Sequence, residues 1–275
     1  MLKHLKQVYI VTGSNNGVGK ELAKILYSKN AKVYVSARSE EKASQAIRDI
    51  KNACSTSNGE LVFLRLDLAD LTTIKTAADE FLSKEAKLHV LINNAGVMMP
   101  PQGSKTTQGY ELQLGTNCVG PFLFTKLLTP ILVLTAKSEP ANTVRVVWTS
   151  SSAVDTLSPK PGGIPIDNLD FHKELSTTTK YGVSKAGNYY HAVEYARRHR
   201  NDGIVSVALN PGFLETGLQR HFTGIHGFLN SMLIKPILHP PIYGAYTELF
   251  ASLSPDVTVE KCESLVKTGE WGNHL

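Results

Sequence analysis

The octapeptide TGSNNGVG at residues 12–19 decides the fold, because it follows a short apolar run and precedes a segment of helical character. Glycine permits positive backbone φ angles and lets N–H groups approach a pyrophosphate closely. A helix that begins at such a turn presents the positive end of its dipole to the same phosphates. A strand, a glycine-rich turn and a helix in this order therefore predict a dinucleotide site.

Short apolar runs alternate with longer helical segments along the whole chain. The predicted strands are Val8–Val11, Val33–Val35, Leu61–Leu66, Val90–Ile92, Val144–Trp148 and Val205–Leu209, with a further short strand considered near Leu265–Val266. The predicted helices are Gly19–Lys29, Glu40–Ala53, Leu71–Lys84, Tyr110–Leu128 and Tyr181–Arg200. Strands that are apolar throughout and alternate with helices predict βαβ crossovers and a parallel sheet covered on both faces. We therefore expect a doubly wound α/β fold of the Rossmann type, in a single domain over residues 1–275.

Two long segments interrupt this alternation and are predicted as elaborated loops. Residues 155–179 are rich in proline and glycine, and we interpret them as an insertion between a strand and the next helix. Residues 213–241 are apolar and broken by prolines. We interpret this second loop as a lid over an apolar substrate. A pair of helices packed on the core or on another subunit, and a membrane-surface segment, remain alternatives.

Composition argues against several other classes of protein. Apolar residues make up 42% and charged residues 19% of the chain, which is typical of a globular protein. The net charge is +5, but no basic and aromatic stripe of the kind that binds nucleic acid accompanies it. The three cysteines are widely spaced, and the nine histidines form no H-E-x-x-H motif, so we expect no metal. The two longest apolar stretches, Phe122–Leu134 and Phe222–Ile242, are interrupted by lysines and prolines. Neither supplies the roughly 20 apolar residues of a membrane-spanning helix. No secretory signal is seen, so we expect a cytoplasmic protein.

Four further motifs follow the glycine-rich turn in a fixed order. They are NNAG at 93–96, TSSS at 149–152, YGVSK at 181–185 and NPG at 210–212, with Thr216 close behind. Together with residues 12–19 they resemble the short-chain dehydrogenase/reductase family, in its single-domain branch. Finer details are similar to retinol-dehydrogenase-like and fungal carbonyl-reductase-like members. The resemblance implies an enzyme that moves a hydride between a nicotinamide and a carbonyl carbon.

Tyr181 and Lys185 stand four residues apart at the start of a helix, so their side chains share one face. A phenol has an ordinary pKa near 10, and a nearby ammonium and a cationic nicotinamide lower that pKa. The resemblance implies that Tyr181 transfers the proton and that Lys185 binds the nicotinamide ribose. It also implies that Asn117 helps to hold a water molecule in a proton relay to Lys185.

The serine that hydrogen-bonds the substrate oxygen is less sharply defined. The family pattern of an apolar strand followed by two serines and an alanine favours Ser151. Ser150 is the main alternative, and Ser152 is a further one.

The end of the second strand predicts which nicotinamide dinucleotide is bound. An acidic residue there would accept hydrogen bonds from the ribose 2′-hydroxyl of NAD. This chain has Ala37 and Arg38 instead, and a guanidinium suits the 2′-phosphate of NADP(H). The other cofactor contacts that the resemblance implies are Gly13, Ser14, Asn15, Asn16, Gly17, Val18, Gly19, Asp67, Leu68, Asn94, Ala95, Gly96, Asn117, Tyr181, Lys185, Pro211, Gly212 and Thr216.

These observations predict a reductase of a small apolar ketone or aldehyde, or a dehydrogenase of the corresponding alcohol, with reduction favoured. A sugar-nucleotide epimerase or dehydratase on the extended related fold is one alternative, against which the glycine spacing and the lack of a further predicted C-terminal domain argue. A non-enzymatic NADP-sensing protein is another, and the set Asn117, Ser151, Tyr181 and Lys185 argues against it. The sequence leaves homo-oligomerisation open.

Overall fold

The computed structural model describes residues 7–218 and 238–262. Within them, six parallel strands form one sheet in the order β3-β2-β1-β4-β5-β6. The strands are β1 Val8–Thr12, β2 Lys32–Ala37, β3 Glu60–Arg65, β4 Val90–Asn93, β5 Arg145–Thr149 and β6 Val205–Leu209. The strand order reverses between β1 and β4, as in a doubly wound Rossmann-type sheet. The predicted fold class is confirmed.

Helices cover both faces of the sheet. They are α1 Gly17–Ser28, α2 Glu40–Ala53, α3 Leu71–Lys84, α4 Leu112–Leu114, α5 Gly120–Ala136, α6 Ala153–Thr156, α7 Thr177–His199 and α8 Pro241–Leu253. A π-helical turn at Gly115–Val119 joins α4 to α5, and a 3-10 turn lies at Ile166–Asn168. The predicted bounds of α2, α3 and β6 are those observed.

Four of the six strands are buried along their whole length, which explains why their sequences do not alternate. Every residue of β1, β4, β5 and β6 is buried, whereas the edge strand β3 exposes Glu60 and Arg65. Trp148, Tyr9 and Phe81 are among the largest completely buried side chains. The core therefore lies on both sides of the sheet, as crossover helices require.

The continuous helical segment Leu112–Ala136 is long and apolar enough to cross a membrane by length and composition alone. The sequence expectation that this region is too short is wrong, because the π-helical turn continues the helix. The buried side chains of α5 include Phe124, Leu128 and Leu132 in the main core, and 44% of its most apolar window is buried. Burial of this kind is typical of a core helix.

Two helices of the described residues were not predicted from the sequence, the short α6 and the much longer α8. Proline occupies the first position of α8, where a missing N–H costs nothing. Its buried face is made of small and polar residues and so lacks a hydrophobic period: Gly244, Ala245, Thr247, Glu248, Ala251 and Ser252. The strand considered near Leu265–Val266 lies outside the described residues.

The two predicted loops differ in how much of them is described. Residues 155–179 include the end of α6, the 3-10 turn and the start of α7. Of residues 213–241, positions 219–237 lie outside the described residues, and so does most of the predicted lid. Its two ends meet, because His239 N donates to the Phe213 carbonyl at 2.9 Å and Glu215 N donates to the His239 carbonyl at 2.9 Å.

Candidate active site

A cavity of about 890 Å³ opens at the carboxyl ends of the strands. In open α/β sheets, ligands bind in this position, beside the point where the strand order reverses. The wall includes residues from the ends of all six strands, from the glycine-rich turn at one end to Tyr181 and Lys185 at the other.

The glycine-rich turn is fitted closely against the loop that follows β4. Gly13 and Gly17 have φ angles of +69° and +55°, which favour glycine. A Cβ atom on Gly19 would lie 2.6 Å from Asn94 Nδ2 and 3.0 Å from the Ser14 Cα. Asn94 Nδ2 in turn donates to the Thr12 carbonyl at 2.7 Å. The glycine-rich turn and the loop after β4, which are distant in the sequence, therefore pack closely together in the cavity wall.

The start of α1 gives this wall its affinity for an anion. The N-cap residue Asn16 makes no side-chain cap hydrogen bond. The first N–H groups of an α-helix have no partner within the helix, and its dipole adds positive potential there. Asn15, Asn16 and Gly17 line the cavity at this point. The arrangement fits a pyrophosphate.

Positive side chains line the cavity beyond the end of β2. Arg38 is one of them, as predicted, and Lys42 in the first turn of α2 is a second. Ser39 caps α2 by accepting a hydrogen bond from Lys42 N at 3.3 Å. Asp67 and Leu68 also line the cavity. Sequence reasoning missed Lys42, although its place four residues after Arg38 on a predicted helix was available as a signal.

Tyr181 and Lys185 lie in the N-terminal part of α7, which begins at Thr177, and both side chains are buried. The Lys185 Nζ atom lies 5.9 Å from the centre of the Tyr181 ring and donates a hydrogen bond of 2.8 Å to the Thr149 carbonyl. Burial lowers the pKa of Lys185 to about 8. The predicted helix face therefore brings the two side chains together in the cavity wall.

The expected effect of Lys185 on Tyr181 is not produced by the protein side chains alone. Burial raises the pKa of Tyr181 to about 12, and a hydrogen bond from Ser151 opposes this increase. Desolvation disfavours the phenolate, and the ammonium of Lys185 is directed at a carbonyl of β5 instead of at the phenol oxygen. The expected depression of this pKa involves a bound cationic nicotinamide as well as Lys185, and it stays a prediction.

The structure separates the three serines that follow β5. Ser151 is the only one of the three that acts on the pKa of Tyr181, which it lowers against the effect of burial. Ser150 is buried, and its hydroxyl donates to the Lys185 carbonyl at 2.8 Å. Ser152 is the N-cap of α6 and makes no side-chain cap hydrogen bond. Of the three serines, Ser151 is thus the one whose hydroxyl group acts on the Tyr181 phenol.

Asn117 lies in the π-helical turn and is completely buried. Its Nδ2 donates to the Val97 carbonyl at 2.9 Å and to Ser184 Oγ at 3.0 Å, while its Oδ1 accepts from Val97 N at 2.8 Å. A Cβ atom on Gly96 would lie 3.3 Å from Asn117 Oδ1 and 3.6 Å from Lys185 Nζ. Asn117 and Lys185 therefore flank the NNAG loop. Short π-helical turns are frequent at functional sites.

Further predicted residues and several unpredicted ones also line the cavity, whereas Ser14, Gly19 and Asn117 lie behind its lining residues. Pro211, Gly212 and Thr216 line the cavity, and Gly212 has a φ of +92°. Apolar side chains also line it: Met98, Met99, Leu112 and Leu157, which sequence reasoning missed, and Phe213 and Leu214, at the start of the predicted lid. They come from loops whose path the sequence pattern does not specify. In the described parts of the chain, no three His, Cys, Asp or Glu side chains group to hold a metal ion.

Comparisons with known sequences agree with this geometry. A model of the short chain dehydrogenase family matches residues 7–165. A short-chain dehydrogenase/reductase of Phomopsis amygdali is 55% identical over 271 residues, which span 98% of this chain and 79% of that protein. Another, from Emericella nidulans, is 54% identical over 267 residues, which span 96% of this chain and 82% of that protein.

Solved structures share the fold at much lower identity. The Pseudomonas aeruginosa RhlG/NADP active-site complex has a TM-score of 0.72 at 20% identity, with 93% of each chain covered. The 3-ketoacyl-(acyl-carrier-protein) reductase from Brucella melitensis complexed with NADH has a TM-score of 0.68 at 21% identity, with 94% of this chain and 93% of that chain covered. These likenesses concern the fold.

Proposed function

The chain belongs to the short-chain dehydrogenase/reductase family, and from that premise we propose that it reduces the carbonyl group of an apolar small molecule with NADPH. The observation that carries the proposal is that Ser151, Tyr181 and Lys185 line one cavity together with the glycine-rich turn and several apolar side chains, and that Ser151 acts on the pKa of the Tyr181 phenol. As a member of the family, the protein is an oxidoreductase that acts on carbonyl or alcohol substrates with NAD(P)(H). The choice of cofactor, the direction and the apolar substrate are the proposal.

The residues fit a nicotinamide dinucleotide along the whole cavity. The glycine-rich turn and the start of α1 would hold the pyrophosphate, because backbone N–H groups reach it where no Cβ atom intervenes. Asp67 and Leu68 would lie beside the adenine, and Lys185 would bind the nicotinamide ribose. When bound, the cofactor supplies the hydride and the two electrons of the reduction.

Arg38 and Lys42 support a preference for NADP(H). Two cations at one end of the cavity suit a dianionic 2′-phosphate, and Ala37 offers no carboxylate to a 2′-hydroxyl. The solved relatives named above carry NADP in one case and NADH in the other. The preference therefore rests on the residues of this chain.

Tyr181 is suited to give a proton to the developing alkoxide. Because burial raises its pKa to about 12, its phenol is protonated at neutral pH, which is the form that reduction requires. Ser151 would donate a second hydrogen bond to the same oxygen and orient the carbonyl carbon. Lys185 would place positive charge beside the phenolate that remains, and Asn117 would hold the relay that restores its proton.

The substrate would lie against Met98, Met99, Leu157 and Phe213, which line the same cavity as Tyr181. A wall of this kind favours an apolar molecule and excludes water from the reacting atoms. The described residues share one sheet, which supports the single-domain organisation that the proposal assumes.

The experiment that tests the proposal follows the absorbance of NADPH against a panel of apolar ketones, aldehydes and quinones. We expect turnover of bulky apolar ketones with NADPH, and at least tenfold lower efficiency with NADH. Sugar-nucleotide substrates serve as the polar control. Tight NADPH binding without turnover of any carbonyl compound would instead favour an NADP-sensing protein, and equal efficiency with NADH would overturn the cofactor assignment.

A further inference from the structure

Glu248 is a carboxyl group buried completely inside α8. Thr149 Oγ1 donates a hydrogen bond of 2.8 Å to its Oε1 atom. Its Oε2 atom is also buried and has no hydrogen-bond partner among the described residues. A buried carboxyl group with so little compensation is costly, so its presence calls for a role beyond packing.

Thr149 connects this carboxyl group to the candidate active site. It is the last residue of β5, and its carbonyl accepts hydrogen bonds from Lys185 Nζ at 2.8 Å and from Asn188 Nδ2 at 3.1 Å. Helix α8 therefore approaches the end of β5 through the Thr149 side chain, while α7 approaches it through the Thr149 main chain. Thr149 thus lies between the buried carboxyl group of Glu248 and the buried amine of Lys185 and hydrogen-bonds to both.

The charges of the two groups depend on each other. Burial raises the pKa of Glu248 to about 8, while the positive charge of Lys185 opposes that increase. Burial lowers the pKa of Lys185 to about 8, while the negative charge of Glu248 opposes that decrease. Among the described residues, Lys185 is the charged group that acts on Glu248. In a low-dielectric interior, each group favours the charged form of the other.

We propose that Glu248 is a positioning residue of the reaction, which acts through Thr149 to keep Lys185 in its ammonium form beside Tyr181. The inference rests on the proposed function, in which Lys185 stabilises the Tyr181 phenolate. Glu248 does not itself line the cavity and reaches its wall through Thr149. It has no part in transferring the proton.

The first test measures the charge of Lys185 without any turnover. In protein labelled with ¹³C-lysine, the Cε resonance of Lys185, assigned with Lys185→Arg, reports its titration. Glu248→Gln keeps an acceptor for Thr149 but removes the negative charge, so we expect the Lys185 midpoint to fall by about half a pH unit or more. Thr149→Val removes the hydroxyl that favours the carboxylate and keeps the carbonyl, so its midpoint should move in the same direction.

Ser252→Ala is the matched control, because Ser252 is equally buried, lies one turn further along α8 and also has an unpaired polar atom. It should leave the midpoint unchanged. Thermal denaturation and NADPH binding establish that each variant is folded. An unchanged Lys185 midpoint in folded Glu248→Gln, or an equal change in Ser252→Ala, would overturn the inference and leave the proposed function intact.

The second test measures the pH dependence of alcohol oxidation with NADP⁺. Oxidation requires the Tyr181 phenolate, so its rate increases with pH through the pKa of Tyr181. With less positive charge on Lys185, that pKa rises, and the midpoint of the rate profile should move to higher pH in Glu248→Gln and Thr149→Val. A changed Lys185 resonance with an unmoved rate profile would overturn the link between Lys185 and Tyr181, and with it that part of the proposed function.

Discussion

The two halves of the cavity are built from different materials. The half that follows β1, β2 and β4, which we call the nucleotide half, is made largely of backbone, with glycines at positive φ and hydrogen bonds between neighbouring loops. The half that follows β5 and β6, which we call the reacting half, is made of side chains that come from α7 and from long loops. A backbone cradle suits a ligand whose phosphates are the same in every reaction. A wall of side chains suits chemistry and a substrate that vary.

The difference predicts how each half responds to substitution. In the nucleotide half, a substitution that adds a side chain should disturb the packing of the two loops, because a Cβ atom on Gly13 would lie 3.0 Å from the Ala95 Cα. In the reacting half, removed atoms are harmful, because single side chains such as Tyr181 carry the chemistry. Substitutions of the side chains that act on the substrate, Tyr181 and Ser151, should therefore leave cofactor affinity nearly intact.

Replacement of Tyr181 by phenylalanine should break the reacting half most severely. The variant keeps the ring but loses the proton donor, so we expect kcat for ketone reduction to fall by roughly 10²–10⁴. NADPH affinity, measured by quenching of protein fluorescence, should change little. Near-normal turnover with tight NADPH binding would show that another group supplies the proton.

The serines give a sharper comparison within the reacting half. Ser151 acts on the Tyr181 phenol and is proposed to donate to the substrate oxygen, so Ser151→Ala should lower kcat by about 10²–10³, the scale of one lost donor to a developing oxyanion. Ser150 bonds to the Lys185 carbonyl, so Ser150→Ala should chiefly lower thermal stability, by about 1 kcal/mol. The reverse pattern, with Ser150 controlling kcat, would reassign the substrate contact while leaving the family unchanged.

Cofactor choice tests the nucleotide half. The double variant Ala37→Asp with Arg38→Ala exchanges a partner of the 2′-phosphate for a partner of the 2′-hydroxyl. Charge-assisted hydrogen bonds contribute about 1.5–3 kcal/mol, so kcat/KM should shift towards NADH by about tenfold or more. Lys42→Ala alone should weaken NADPH and leave NADH unaffected. A double variant that loses both cofactors equally would show that these positions are structural.

Sequence reasoning named most of the residues that line the nucleotide half, because the sequence signals for that half are local. The glycine-rich turn, Arg38 and the NNAG loop each follow a strand that the apolar pattern predicts. Parallel topology then brings the carboxyl ends of those strands together. Tyr181 and Lys185 could be placed for the same reason, since four residues on one helix fix their relation.

The rest depends on contacts between distant parts of the chain. Helix α8 was missed because its buried face is small and polar, and Glu248 on it meets Thr149 across 99 positions. Burial, which the sequence does not show, raises the pKa of Tyr181, while the expected depression by Lys185 and a bound nicotinamide stays a prediction. The apolar residues of the wall, such as Met98 and Leu157, lie on loops whose path no periodic pattern specifies.

The two loops that carry the substrate wall are joined by a polar cluster, and this cluster gives the smallest expected effect. Lys180, which is buried, pairs with Glu174 at 2.5 Å, and Glu174 also accepts a hydrogen bond from Gln102. Met99 lies on the same loop as Gln102, and its N–H donates to Gln113, which also donates to the Thr177 carbonyl. The cluster therefore holds the loop after β4 against the loop before α7.

Glu174→Gln removes the charge of an exposed partner while keeping an amide oxygen for Lys180. Pairs of this kind contribute about 0.2–1 kcal/mol, so KM for a bulky apolar ketone should rise only by about two- to fivefold, with kcat and NADPH affinity unchanged. Lys173→Gln is the control, because Lys173 pairs with Asp167 at 3.3 Å on the same loop but away from the wall. An equal rise in KM for both variants would mean that general loop charge, and not the Glu174 cluster, sets the substrate wall.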